Sequence, residues 1–141
     1  MNVVVFNRQK DLKLSIRRAK SLVKTILQAE NIEYNEIFIH FVTKKRISEL
    51  HAEFFDDPSP TDCITFPIDK ETLGEIFVCP QAAIDYCLKR GGDPLTETAL
   101  YIVHGILHLL GYDDLDPIKR RAMRKKEKTC MAHLKDLQIS L

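Results

Sequence analysis

No stretch of this 141-residue chain is apolar for long enough to cross a bilayer. The longest mostly apolar run, residues 99–110, is interrupted by two histidines and falls well short of the roughly 20 residues a membrane helix needs. Residues 1–10 hold only a short apolar run, Val3 to Phe6, and lack the longer core of a secretory signal, so a cytoplasmic location is expected. The four cysteines, Cys63, Cys79, Cys87 and Cys130, form no Cys-x-x-Cys pair, which speaks against a thiolate zinc site or a dithiol redox motif. They are expected to be small, reduced core residues. Internal repeats and low-complexity segments are also missing. With 45% hydrophobic residues, the chain suits one compact domain over residues 1–141 and is too short for two.

The near-zero net charge of +1 hides a segregation. Residues 1–29 carry seven Lys/Arg against one acid, and residues 117–141 carry eight against two. Between them, six basic side chains face seventeen acids. Terminal helices lying side by side would form a basic face suited to phosphates, with Arg17, Arg18, Arg120, Arg121, Arg124 and Lys125 as candidate RNA contacts. Charge alone is equally the mark of solvated helix faces.

Hydrophobic spacing sets the expected elements. Val3, Val4, Val5 and Phe6 predict a strand over 2–7. Leu12, Ile16, Ala19, Val23, Ile26 and Leu27 then recur at helical spacing, predicting an amphipathic helix over 11–29. A β-rich segment spans 34–43, and Thr43 can cap a helix over 44–55 with Ile47, Leu50 and Phe54 on its inner stripe. Asp57-Pro58-Ser59-Pro60 breaks it. Short strands are expected over 63–68 and 74–79, and Pro80 suits the first turn of a helix ending at Gly91-Gly92. Asp93-Pro94 and Gly111 bracket a helix over 94–110, and Asp116-Pro117 opens a last helix to about residue 137. This order predicts an α+β domain with one mixed sheet of about four strands, several packed helices and a central buried helix.

That central helix carries the chemistry. His104 and His108, four residues apart, project from one face and can reach one divalent ion. Gly111 allows the chain to turn back, making Asp113, Asp114 and Asp116 candidates for a third ligand. Two imidazoles in so apolar a helix are costly without partners, and a cation with an aspartate satisfies both. In zinc peptidases of the His-Glu-x-x-His type the residue after the first histidine is the general base. Here it is Gly105, which cannot move protons, so peptide hydrolysis by that route is disfavoured.

The run from His104 to Asp114 resembles the signature of the YbeY-type endoribonucleases, His-Gly-x-Leu-His-Leu-x-Gly-Tyr-Asp-His, and differs from it at Asp114. Residues 60–67, Pro-Thr-Asp-Cys-Ile-Thr-Phe-Pro, resemble the family's Pro-Thr-Asp-Val-Leu-Ser-Phe-Pro, and residues 73–76 its Leu-Gly-Asp-Ile strand. Met123, Arg124 and Glu127 fit its last helix. The resemblance implies a small α+β metalloprotein that takes one divalent ion, zinc above all, and no nucleotide cofactor. It further implies a single-strand-specific endoribonuclease acting on ribosomal RNA and ribosomal particles, in 16S 3′-end maturation and ribosome quality control. On that alignment the metal ligands are His104, His108 and Asp114.

Two departures bear on activity. Asp114 stands where the family has histidine; a carboxylate is an acceptable zinc ligand but makes the ion a weaker Lewis acid. Where the family shows Leu-Asn-x-x-Tyr-Arg, this chain has Leu50-His51-Ala52-Glu53-Phe54-Phe55. Phe55 thus replaces an arginine, and His51, one turn before it on the same helix face, is placed to take up part of that role. Catalytic residues beyond the metal ligands are left unassigned. The competing readings are a ribosome-associated RNA-binding module with a structural metal, and a metal-dependent hydrolase of another small substrate.

Overall fold

The computed structural model describes residues 2–69 and 71–141. Its elements follow the order β1 (Asn2–Asn7), α1 (Ile16–Ala29), β2 (Glu36–Phe41), α2 (Lys44–Phe55), β3 (Cys63–Pro67), β4 (Thr72–Val78), α3 (Pro80–Arg90), α4 (Pro94–Leu109) and α5 (Pro117–Asp136). The strands form one mixed sheet in the order β1-β2-β4-β3. β1, β2 and β4 run parallel, and β3 pairs antiparallel with β4 as an edge strand. The expected α+β class holds.

Alternation along each strand divides the side chains between two layers. Ile37, Ile39 and Phe41 of β2, with Ile76 and Val78 of β4, point to the face covered by α1, α4 and α5. There Leu22, Ile26 and Leu27 of α1 meet Ile102, Ile106 and Leu107 of α4, all fully buried. Burial of each such side chain contributes about 1.5–3 kcal/mol. A smaller cluster on the other face joins Ile47 and Leu50 of α2 to Ile64, Val42 and Cys79.

Two expectations need correction. The first helix begins at Ile16 rather than Asp11, because the Ser15 hydroxyl accepts the Arg18 N–H and caps it there. The buried Gln9 side chain holds the preceding loop, donating to the Leu12 carbonyl and accepting the Leu12 N–H. Phe54, expected on the inner stripe of α2, is 56% exposed. The end of α2 overhangs β3, the last strand of the sheet, so Phe54 meets only the edge of Phe66.

Of the cysteines, Cys79 and Cys130 are buried, Cys63 and Cys87 half-buried, and all four are free thiols. No helix among the described residues is long and apolar enough to cross a membrane.

Candidate metal centre

α4 starts where its sequence says it should, with the Asp93 carboxylate accepting the Leu95 N–H and Pro94 in the first turn. Its inner face must lie close against the sheet, and Gly105 is what permits this. A Cβ at position 105 would fall 2.7 Å from Ile76 Cγ2 and 3.2 Å from Cys63 Sγ. Position 105 therefore points into the β3–β4 surface, while His104 and His108 line the cleft beside it. A glutamate at 105, as in the peptidase arrangement, would be driven into the core.

Beyond the helix, Gly111 adopts φ +102°, a conformation costly for any side-chain-bearing residue. The Gly111 N–H bonds to the His108 carbonyl and the Tyr112 N–H to the Leu107 carbonyl, folding the chain back over the last turn. Of the three candidate aspartates, Asp113 accepts the Leu115 N–H and lies near Lys119. Asp116 caps α5 through the Lys119 N–H. Asp114 remains, and its carboxylate joins ring nitrogens of His104 and His108 in a group of atoms all within 4.8 Å of one another.

The hydrogen bonds behind the imidazoles decide what their front nitrogens can do. The Tyr112 carbonyl can only accept, so His108 Nδ1, 3.1 Å away, carries the hydrogen. His104 Nδ1 lies 2.5 Å from Glu127 Oε1 of α5 and donates to that carboxylate. With each Nδ1 committed to its own acceptor, the two Nε2 atoms face each other at 3.0 Å, a hydrogen bond when one of them carries a proton and a pair of free lone pairs when neither does. Once that proton is lost, both lone pairs point to one place, where a cation can take them up. Burial works against a charged His104, but Glu127, Asp62 and Asp114 outweigh it and hold its pKa above the ordinary histidine value. The carboxylates thus draw positive charge to this point. A carboxylate behind a ligating imidazole also fixes its tautomer and raises its basicity. The donor set fits a divalent ion.

Two cavities meet at His104. One, of about 680 Å³, lies between α4 and α5 and is lined by Glu97, Asp114, Arg120, Arg124 and Lys128, with Tyr86 of α3 at its far side. Burial, with the charges of Asp62 and Glu127, pushes the Glu97 pKa up. The other, of about 260 Å³, is a cleft between α4, β3 and α2, lined by His51, Phe55, Cys63, Thr65, His104 and His108.

The basic residues singled out in the sequence divide into separate places. Arg120 and Arg124 reach the metal-side cavity. Arg121 turns back to the Pro117 carbonyl, and Lys125 is absent from the cavity lining. α1 and α5 do touch, tied by Lys126 and Glu30. Arg18 nevertheless lines a separate cavity, shared with Lys135, which is some 15 residues or about 22 Å along α5 from Arg120. Arg17, its neighbour in the first turn of α1, lies at that same end.

Sequence reading assigned no role to Glu127. The available signal was a lone carboxylate at helical spacing after Arg120 and Arg124. It also missed the Tyr112 carbonyl, for which no side-chain signal exists.

The model of the family described as Endoribonuclease YbeY matches residues 4–135. The Endoribonuclease YbeY of Protochlamydia amoebophila is 47% identical, covering 94% of this chain and 93% of the relative. That of Chlamydia felis is 39% identical, covering 96% and 92%. The solution structure of TM1509 from Thermotoga maritima superposes with a TM-score of 0.71 over 97% of this chain and 92% of that one, at 23% identity, and so shares the fold. Matched by the family model over nearly its whole length, and by relatives well above 30% identity, the chain belongs to the endoribonuclease YbeY family.

Proposed function

We propose that this protein is a zinc-dependent endoribonuclease that cuts single-stranded RNA. Its setting is the cytoplasm, with ribosomal RNA and ribosomal particles as partners, in 16S 3′-end maturation and ribosome quality control. The observation that carries the reading is the pair of Nε2 atoms facing each other at 3.0 Å beside the Asp114 carboxylate. Zinc–nitrogen bonds of about 2.0–2.1 Å in tetrahedral array place two ligand nitrogens roughly 3.3–3.4 Å apart, close to this spacing. His104, His108 and Asp114 would hold the ion. When bound, it supplies Lewis acidity toward a phosphate oxygen and a more acidic water.

The chain's own residues supply the rest. Glu127 and the Tyr112 carbonyl orient the ligands. Arg120 and Arg124 bind backbone phosphate on the α5 side of the centre. On the α2 side, His51 Nδ1 donates to the Ser59 carbonyl at 2.9 Å, which leaves the Nε2 lone pair able to accept a proton in the cleft it shares with the metal ligands. Asp57 supports this arrangement. One of its oxygens accepts from both the Ser59 N–H and hydroxyl, bonds that hold its pKa down, and the other lies 3.9 Å from His51 Nδ1.

Purified protein incubated with single-stranded and duplex RNA, with zinc or with chelator, tests the reading. Internal cuts in the single strand alone, abolished by chelator, are expected; no cutting with zinc or manganese would refute it. Phe55 favours a second reading, an RNA-binding module with a structural metal, because among the described residues it leaves the α2-side cleft lined by no arginine or lysine.

A further inference from the structure

An aromatic series crosses the outer face of the sheet and ends at the metal centre. Phe6 of β1 and His40 of β2 stack with centroids 5.0 Å apart, and His40 and Phe77 of β4 stack at 4.3 Å. Phe77 meets the edge of Phe66 at 5.7 Å, and Phe66 meets Phe54 at 4.9 Å and Phe55 at 6.3 Å. At one end the Arg8 guanidinium covers Phe6 at 4.5 Å. The inner rings are therefore occupied by one another. The other end differs: Phe54 and Phe55 are 56% and 54% exposed. Phe55 leans on His51 at 5.6 Å and lines the same cleft as His104 and His108.

We propose that Phe55, flanked by Phe54, is a stacking platform for an unpaired nucleobase of the RNA strand, next to the phosphate held at the metal centre. The inference rests on the endoribonuclease reading and deepens it by naming what the α2-side cleft binds. Leu88 and Leu115, exposed apolar side chains elsewhere in this chain, are aliphatic, whereas Phe54 and Phe55 are adjacent rings. This pair is contiguous with the place where the reacting phosphate must sit, so a protein docked on it would cover that place. The two cavities meeting at His104 are also chemically complementary to a single strand. The α5 side offers Arg120, Arg124 and Lys128 to phosphates, and the α2 side offers an aromatic face and no cation. Duplex RNA has no unstacked base to offer, whereas single strands are gripped by aromatic stacking. Phe55 thus replaces an ionic hold on the backbone with a hold on the base.

The test compares binding of oligoadenylate with binding of a strand of equal length and charge made of abasic ribose phosphates. Chelator is present so that nothing is cut, and cleavage by the zinc-loaded protein is measured in parallel. The variants are Phe55→Leu, which keeps the apolar bulk and removes the ring, Phe55→Trp, which keeps a ring, and Leu88→Ala as an exposed apolar control on α3. The parent should prefer oligoadenylate about ten-fold. Phe55→Leu should lose most of that preference, while Phe55→Trp and Leu88→Ala retain it. Raising salt should weaken both strands but leave their ratio, because stacking releases no counterions. A preference unchanged in Phe55→Leu, or no preference in the parent, overturns the proposal. A dimer dissociated by Phe55→Leu, with base preference unaltered, would make the patch an interface between copies and overturn it as well. Base preference lost in Phe55→Leu while the zinc-loaded parent cuts no RNA would uphold the platform and refute the nuclease reading alone.

Discussion

Gly105→Ala tests how tightly α4 is seated, and with it the basis of the metal centre. The added methyl would lie 2.7 Å from Ile76 Cγ2, 3.2 Å from Ile76 Cδ1 and 3.2 Å from Cys63 Sγ. Comfortable carbon contacts begin near 3.5 Å, so the helix and β4 must separate by roughly 1 Å or Ile76 must leave its rotamer. Ile76 is fully buried, beside Ile39 on the sheet face that the helix covers. Overpacking of this kind costs about 1–3 kcal/mol, and the better helix propensity of alanine offsets about 1 kcal/mol of it. A net loss of up to about 2 kcal/mol is expected, seen by calorimetry as a Tm lower by up to roughly 7 °C in a chain of this size. Zinc affinity should fall as well, because His104 is the neighbouring residue and its bond to Glu127 depends on where the helix lies. Pairing the variant with Ile76→Ala should recover part of the loss, as the two sites are in contact. A gain in stability of about 1 kcal/mol in Gly105→Ala, the full helix-propensity benefit with no clash against it, would refute the idea that the glycine is there for close approach.

Glu127→Gln should weaken zinc binding about 10–100-fold by calorimetric titration while leaving the fold intact, since Glu127 supports a ligand rather than forming one. Zinc uptake should also weaken as pH falls, because Glu127 and its acidic neighbours raise the His104 pKa and the ring must shed its proton to bind; a flat pH profile would contradict this. His40 has the opposite sign: burial outweighs Glu75 and lowers its pKa, so the stability it contributes is complete above the unfolded histidine value near 6.5 and is lost as pH falls. His40→Phe, which keeps the ring stack, should gain on the parent in chemical denaturation below about that pH. Replacing Arg120 and Arg124 by Gln should weaken binding of single-stranded RNA and reduce the slope of log affinity against log salt by about 1.4. Arg17→Gln with Arg18→Gln, at the far end of α5, should change the slope less.

What the sequence disclosed was whatever a single element settles within itself. The caps Asp93, Pro94 and Gly111 and the four-residue spacing of His104 and His108 need only helix geometry, and all take the expected places. Asp114 was legible as one of three aspartates. Choosing it from the structure requires knowing that Asp113 and Asp116 spend their carboxylates on nearby N–H groups. Glu127 is 23 residues from His104, and only the crossing of α4 and α5 brings the two together. The exposed Phe54 escaped notice for a related reason. Its helical spacing matches Ile47 and Leu50, but the sheet ends beneath it, and periodicity does not record where a neighbouring layer stops.

The close seating of α4 constrains how a reaction at this centre can be organised. Because position 105 faces Ile76 and Cys63, the metal-bearing helix has no room for an acid–base side chain beside its first histidine. A proton acceptor must then come from another element that reaches the same cleft. Among the described residues lining it, His51 is the titratable side chain that α2 brings there, with its Nδ1 tied to the Ser59 carbonyl and its Nε2 left to act. The cations line the other cavity, on α5, where Arg120 and Arg124 precede Glu127 on one helix face. On the proposed function, proton handling on the α2 side and charge binding on the α5 side would be divided by the buried helix that carries His104 and His108. A substitution on either wall should affect one of the two and spare the other.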